Sequence, residues 1–350
     1  MKQYLLPEGG NFYKVNMHSH TTLTDGHMTP QEVKDAYKAL GYSAVAFTEH
    51  EFLFDVSYLN DESFVALHAY EYGIRQAEHP VFPFYEGKTH TSAHGEAVHM
   101  NLYAKDPKNL KMVCFNPNAP ELGAYVKRQF SPNTSYVGTP DFIRSFDVEN
   151  LNTVIKTARE NGFLVIFNHP AWSMNRSELY CNLEGLSGME IINGGSDRSS
   201  DIDCQPYVYD QMSRAGRRLI CVAGDDNHKP HHIGIAWTMV KAPALSYENL
   251  IDNIEKGNCY ASNGPEITEL FVENGQLTIK CSDARGIFLS TAGRRKDYAL
   301  AQSDDEPVRE ATFALSPEDF MFRVTVRDMR GNHAFTRFYY LDELTEQPAK

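Results

Sequence analysis

Histidine and carboxylate side chains recur in this chain at spacings that suit metal ions. His18 and His20 stand one residue apart in NMHSHTTLTDG, and Asp25 follows. In an extended strand, residues i and i+2 point to the same side, so the two imidazoles address one point in space. The same spacing returns in LICVAGDDNH, where Asp226 and His228 stand two apart. Between these stretches, apolar runs deliver more ligand-type residues: SAVAFTEH ends at His50, FVALHAYEYG carries Glu71, VHMNLYA begins with His99 and GFLVIFNHP ends on His169. Six imidazoles and three carboxylates exceed the roughly four to six ligands that one ion takes. Two or three divalent ions sharing carboxylates are therefore expected. A mixed nitrogen and oxygen set suits zinc, manganese or iron, whereas magnesium and calcium prefer oxygen. Three such ions against three carboxylates would leave about three excess positive charges, a trap for a small anionic substrate.

The elements that must position these residues follow from periodicity. Thr29, Pro30 and Glu32 form an N-cap, first turn and capping box, followed by Val33, Ala36, Tyr37 and Leu40 at helical spacing and Gly41 as stop. Strand, helix and a second buried strand make a βα unit, and its strands lead into histidines. In α/β barrels the C-terminal strand ends carry the active site, which places His50 near His18 and His20. Further helices are expected over NLNTVIKTARENG, around YVYDQMSRAG and over SYENLIDNIEKGN, and further strands at LSGMEIING, ending at Asn193, and at GIAWTMVKA. Two stretches break the rhythm. Residues 74–97 hold His79, His90 and His94, and residues 105–149 are proline-rich; long connections of this kind are usually lids or binding loops. Beyond residue 265 the texture changes to six β-type runs (ITELFVE, QLTIKC, GIFLSTA, REATFAL, FMFRVTVRD, HAFTRFYYL), which read as a small β-sandwich.

The chain has 350 residues, more than one core usually supports, so a large domain at 1–265 and a smaller one at 266–350 are expected. A net charge of −13 argues against general affinity for nucleic acid or anionic membranes. Neither a signal-peptide pattern nor an apolar run of membrane-spanning length is present, and a cytoplasmic protein is expected. Six scattered cysteines without CxxC spacing suit reduced thiols.

In order along the chain, HSHTTLTDG, the TEH ending in His50, the isolated His99, the HP at 169–170 and GDDNH at 224–228 resemble the successive motifs of the PHP (polymerase and histidinol phosphatase) superfamily. The resemblance covers residues 11 to about 265. The segment GNCYASNGP and the β-rich tail further resemble the stand-alone CehA/McbA-like branch. The resemblance implies an α/β fold, a distorted (βα)7 PHP barrel with a small C-terminal β-sandwich, and a trinuclear metal site. It also implies a division of ligands: His18, His20, Glu71 and Asp226 for one ion; Asp25, His50 and His228 for a second; Glu71, His99 and His169 for a third. Two departures stand out. Glu71 lacks the more usual glycine two residues before it, and Asp225 stands where the family has a small residue, leaving Asp225 as a competitor or neighbour of Asp226.

The chemistry expected is hydrolysis by a metal-bound hydroxide, since zinc lowers the pKa of bound water toward ~7 and paired ions clamp a phosphoryl oxygen. No protein nucleophile is needed, and the GxSxG, Walker and GxGxxG patterns are missing. Asp25, His228 and His232 are the candidate catalytic residues, with His231 beside the last. Arg198, Lys229 and Asn193 are candidates for holding substrate, with Arg176 and Trp172 nearby in sequence. Three functions are weighed: a phosphoesterase acting on a small phosphorylated metabolite or nucleotide; a carbamate, ester or amide hydrolase using the same cluster; and a non-catalytic, metal-stabilised scaffold whose β-sandwich binds a partner.

Overall fold

The computed structural model describes residues 2–76, 79–80, 91–92, 95–118, 135–139, 141–202 and 204–345. Residues 77–78, 81–90, 93–94, 119–134 and 140 of the two expected lid segments, with His90 and His94 among them, lie outside the described residues. In chain order the principal elements are β1 (Gln3–Tyr4), β2 (Asn11–Asn16), α1 (Pro30–Ala39), β3 (Ala44–His50), β4 (Val65–Arg75), β5 (Ala97–Ala104), α2 (Val148–Glu160), β6 (Phe163–Phe167), β7 (Gly188–Asn193), α3 (Gly194–Ser200), α4 (Pro206–Arg214), β8 (Ile220–Gly224), β9 (Trp237–Ala242) and α5 (Tyr247–Glu255). They continue as β10 (Cys259–Ser262), β11 (Ile267–Glu273), β12 (Gln276–Thr291), β13 (Lys296–Leu300), β14 (Val308–Ala314), β15 (Met321–Asp328) and β16 (His333–Thr336).

The fold is mixed α/β around a large sheet. Its site-bearing part runs β9-β2-β3-β4-β5-β6-β7-β8. The pairs β2–β3, β3–β4, β6–β7 and β7–β8 are parallel, while β4–β5, β5–β6 and β9–β2 are antiparallel. The two ends of this run meet where the Thr238 hydroxyl donates to the Ala223 carbonyl at 3.0 Å and accepts from the Ala223 amide at 2.9 Å. Because β5 runs against its neighbours, His99 enters from a strand beginning rather than a strand end. The same pairing explains why β4 continues past Glu71 to Arg75: Gly73 sits opposite His99 in the ladder.

Helices form where the sequence carries caps. Thr29 accepts from the Glu32 amide and Glu32 answers at the Thr29 amide, the reciprocal pair that satisfies two otherwise orphaned donors. Asp147 and Ser246 cap α2 and α5 by accepting from the Asn150 and Asn249 amides, without the reciprocal bond. Leu151, Val154, Ile155 and Ala158 of α2 are fully buried. Each of the three larger side chains contributes about 1.5–3 kcal/mol by leaving water.

In the C-terminal part, QLTIKC and GIFLSTA, expected as two strands, form the single strand β12. Asp283, Arg285 and Gly286 resemble turn residues, but the strand passes through them with register shifts and changes partners from β14 to β15 and β13. β10 pairs with both β9 and β16, and β1 pairs with β11. Leu5, Leu6 and Tyr260 accordingly pack into the same core as Leu270, Leu277, Val324 and Tyr339.

Candidate metal centre

The HSH stretch continues β2 past its last ladder bond. Ser19, between the histidines, faces the other way: its hydroxyl donates to the Ala46 carbonyl at 2.7 Å and its amide donates to the Thr48 hydroxyl at 2.9 Å. This anchors His18 and His20 on the opposite side. From the other flank the segment after β8 binds the same backbone. The Asp226 amide donates to the His18 carbonyl, the His20 amide donates to the Asn227 carbonyl, and Ser19 forms a parallel bridge with Asn227. A Cβ at Gly224 would lie 2.6 Å from the His18 nitrogen, so only glycine allows this approach. Asp225 and Asp226 then turn apart, because Asp226 adopts φ 47°.

Asp225 is fully buried and faces away from the histidines. Its carboxylate accepts from the Tyr37 hydroxyl at 2.9 Å and from the Gly234, Ile235 and Ala236 amides at 2.5, 2.9 and 2.7 Å. Burial pushes its carboxyl up to about 6, against the pull of these donors. Asp226 instead points at the cluster, with Oδ1 3.1 Å from His20 Nε2 and 3.4 Å from His18 Nε2.

Glu71 lies at the centre. Its two oxygens stand 2.9 Å from His50 Nδ1, 3.0 Å from His99 Nδ1, 3.2 Å from His169 Nε2, 3.5 Å from His18 Nε2 and 3.6 Å from His20 Nε2. Asp25 lies at the outer edge, within 3.4 Å of His50 Nε2 and 3.5 Å of His228 Nε2, and 4.0 Å from His20 Nδ1. The turn that presents it is held by Glu49, which is buried between the hydroxyls of Thr21 and Thr24.

Three groupings bring ligand atoms within 4.8 Å of one another: His20, Asp25, His50 and His228; His18, Glu71 and His169; and His18, His20 and Asp226. The first differs from the division the motifs imply, since His20 joins Asp25. His99 contacts Glu71 but falls outside the three groupings. Two features fit cations at these positions. His20 Nδ1 and Asp226 Oδ1 are buried without a hydrogen-bond partner, an expensive arrangement unless something else satisfies them. The charge pattern agrees. Burial opposes charging in His18 and His50, yet neighbouring carboxylates raise both well above the ordinary imidazole value. Burial with the nearby His50 and His228 instead drops His20 to about 3. Glu71 and Asp226 are held well below the usual carboxylate range by the surrounding imidazoles, which outweigh burial. A cation could take the place of the protons this packing demands.

Backbone strain gathers here too, with φ of 24° at His169, 47° at Asp226 and 64° at Glu51. Trp172 is 45% exposed, with its ring 5.1 Å from His169 and 6.1 Å from His99, at the edge of the cluster. His232 is buried, its Nδ1 accepting from the His228 amide at 3.5 Å. Arg198 on α3 and Lys229 beside His228 are exposed. Among the described residues, no hydrogen bond or ion pair joins a lysine or arginine to a cluster residue. Asn193, expected at the substrate, is buried; its carbonyl oxygen caps α3 and its amide donates to Glu190 and Asp226. Arg176 pairs with Glu96 at 3.1 Å.

Several residues at the site were not expected from sequence. Glu190 is a fourth carboxylate at the cluster, buried and 3.1 Å from His18 Nδ1. Its position inside the apolar run GMEIIN was the available signal, since a carboxylate in a buried strand requires partners. Ser173 bonds His169 Nδ1 at 3.0 Å. Tyr37 reaches Asp225 and Asn227 from α1, and Asn16 meets the Asp225 amide.

No family model matches the chain, and no curated protein does. Solved structures with similarity include a two-domain protein from Bacteroides vulgatus containing a predicted PHP-like metal-dependent phosphoesterase. It is 14% identical, with 96% of this chain and 98% of that chain covered and a TM-score of 0.44. A putative metal-dependent phosphoesterase from Bifidobacterium adolescentis is 14% identical over 63% and 89% of the two chains, with a TM-score of 0.36. An amidohydrolase from Chromobacterium violaceum, with bound sulfate and no metal, is 16% identical over 62% and 88%, with a TM-score of 0.37. At these identities and TM-scores, none of the three carries a functional conclusion for this chain.

Proposed function

We propose that this chain is a metal-dependent hydrolase of the PHP superfamily, with a distorted barrel over 1–265 and a β-sandwich over 266–350. The substrate class is a small phosphorylated metabolite or nucleotide. The observation that carries this reading is the packing of five imidazoles around the Glu71 carboxylate, within 3.6 Å, with Asp25 and Asp226 closing the two sides. Two or three zinc, manganese or iron ions held by His18, His20, Asp25, His50, Glu71, His99, His169, Asp226 and His228 would supply Lewis acidity and lower the pKa of bound water.

The chain's own groups do the rest. Glu71, between the groupings, holds the ligand rings at fixed separation. Asp25, at the solvent side, orients the attacking water and accepts its proton on a carboxylate oxygen, while His228, whose Nδ1 lies 3.1 Å from the Asp226 carbonyl, keeps Nε2 for an ion and fixes that side of the site. His232, whose Nδ1 accepts from the His228 amide, is the group assigned to pass a proton to the departing group. Arg198 and Lys229 meet the anion as it enters from solvent.

Assays of metal-loaded protein against a panel of phosphomonoesters and short oligonucleotides test the proposal. Turnover that disappears in Asp25→Ala is expected, and no turnover on any member with all metals bound refutes it. The second reading, hydrolysis of a neutral carbamate, ester or amide, is favoured by one observation: no basic side chain contacts the cluster among the described residues. Replacing Arg198 and Lys229 together with alanine separates the two. A phosphoesterase loses at least tenfold in kcat/KM, whereas an amide or ester hydrolase keeps its rate.

A further inference from the structure

Beyond the cluster residues themselves, one buried carboxylate is used by nothing described so far. Glu190, on β7, is 2% exposed, and both its oxygens are engaged by parts of the centre. Oε1 stands 3.1 Å from His18 Nδ1. Oε2 accepts from the His169 amide at 3.2 Å and from the Asn193 side-chain amide at 2.8 Å. That same Asn193 nitrogen lies 3.2 Å from Asp226 Oδ2. One carboxylate thus reaches three ligand-bearing segments, those of His18, His169 and Asp226.

The consequence for His18 is chemical. A carboxylate only accepts hydrogen bonds, so it keeps the ring proton on Nδ1 and leaves Nε2, which faces Glu71 and Asp226, as the free lone pair. At His169 the Ser173 hydroxyl bonds Nδ1 at 3.0 Å while Nε2 faces Glu71; a hydroxyl can donate or accept, so it holds the ring in place without dictating its tautomer. The outer grouping has weaker support. Asp25 is 48% exposed, His228 29% and His50 19%, with only His20, which this grouping shares with the inner one, at 0%, against 0% for His18 and 2% for His169. Asp25 is held through its turn, and no carboxylate outside the cluster backs either of its histidine partners among the described residues.

We propose that Glu190, through Asn193, is a positioning residue that presets His18, His169 and Asp226 for one ion, and that this inner ion is held more tightly than the outer one at Asp25, His50 and His228. The outer ion exchanges with solution, and free metal concentration sets how much of the protein is fully loaded. This rests on the metal-centre proposal above, which says nothing of relative affinity or of Glu190.

The test is chelator-driven release from the metal-loaded full chain, followed with a colorimetric metal indicator and checked by elemental analysis. The unsubstituted protein is expected to release metal in two phases, with Asp25→Ala lacking the fast one. Glu190→Gln presents an amide where two donors and a ring N–H converge, so it either meets donor with donor or moves the His18 proton to Nε2. Loss of such an outer partner typically weakens a metal site 10- to 100-fold. The slow phase should accelerate by that factor while the fast phase keeps its rate and the metal-free melting temperature stays within a few degrees. Glu190→Asp should recover part of the slow phase, and Ser173→Ala should accelerate it by a smaller factor in a protein whose folding is not in question.

A folded Glu190→Gln protein with an unchanged slow phase overturns the proposal, as does single-phase release from the unsubstituted protein. Equal acceleration of both phases together with a lowered metal-free melting temperature also overturns it, because a merely structural carboxylate behaves that way. If Glu190→Gln does not fold, an unchanged slow phase in Ser173→Ala decides against it. Unsubstituted protein that retains no metal at all refutes the metal centre itself, a different failure.

Discussion

Replacing Asp225 with alanine tests whether the two adjacent aspartates do different jobs. In the structure Asp225 is an acceptor for four donors: the Tyr37 hydroxyl and the Gly234, Ile235 and Ala236 amides. The substitution strands the buried Ala236 amide outright. Tyr37 keeps one alternative acceptor in Asn227, at 2.9 Å. Gly234 and Ile235 are half-buried, so water can partly replace their partner. A stranded buried donor costs about 1–3 kcal/mol, so one full penalty and three partial ones come to about 3–6 kcal/mol. That is a large share of the ~5–15 kcal/mol by which folded proteins are stable. With an unfolding entropy of about 2.1 cal/mol/K per residue, the melting temperature should fall by roughly 4–8 °C if the chain unfolds as one unit. The assay is calorimetry on chelator-treated protein, so that metal loss cannot contribute. Asp226→Ala, measured alongside, should lower metal content, because its carboxylate points at His18 and His20. The opposite pattern, metal loss from Asp225→Ala with unchanged metal-free stability, would show that Asp225 is the ligand and that the separation of roles is wrong.

Three further outcomes follow from the same contacts. Tyr37→Phe removes a hydroxyl that accepts from the Asn16 side chain and serves Asp225 and Asn227; it should cost about 1–3 kcal/mol in urea unfolding, and a change below about 0.5 kcal/mol, on the order of a surface substitution, would contradict this role for the hydroxyl. Gly224→Ala forces a Cβ to 2.6 Å from the His18 nitrogen; elemental analysis should find metal lost at the His18 grouping, and full metal content would show that the close approach is dispensable. Asp25→Ala should lose one ion while the ion at His18 and Asp226 remains, and loss of all metal together would show that the groupings are not separable.

Much of the centre was legible because its residues sit where local rules act. Thr29 with Glu32 announces α1, and the paired spacing of His18 with His20 and of Asp226 with His228 survives in the structure as two adjacent backbones whose side chains converge. What was not legible depends on long-range pairing. Nothing near VHMNLYA says that β5 runs antiparallel, and it is that direction which lets His99, at the start of its run, meet Glu71 near the end of β4. The choice between Asp225 and Asp226 turns on Tyr37, 188 residues away, and on a left-handed φ that no neighbouring glycine signals. The motifs group His20 with His18, Glu71 and Asp226; the turn held by Glu49 is what also brings Asp25 within reach of it. Asp283, Arg285 and Gly286 imitate a turn because a strand that changes partners needs residues tolerant of a register shift. Glu190 was hidden because a single carboxylate inside an apolar strand leaves the periodicity intact.

The most direct test of the metal centre is an anomalous diffraction experiment on crystals of metal-loaded protein, collected at the absorption edges of zinc, manganese and iron. Anomalous peaks are predicted within coordination distance of His18 with Asp226 and of Asp25 with His50 and His228, with Glu71 lying between them. Fully loaded crystals with no anomalous peak among these residues, or with metal bound only elsewhere on the chain, would contradict the account.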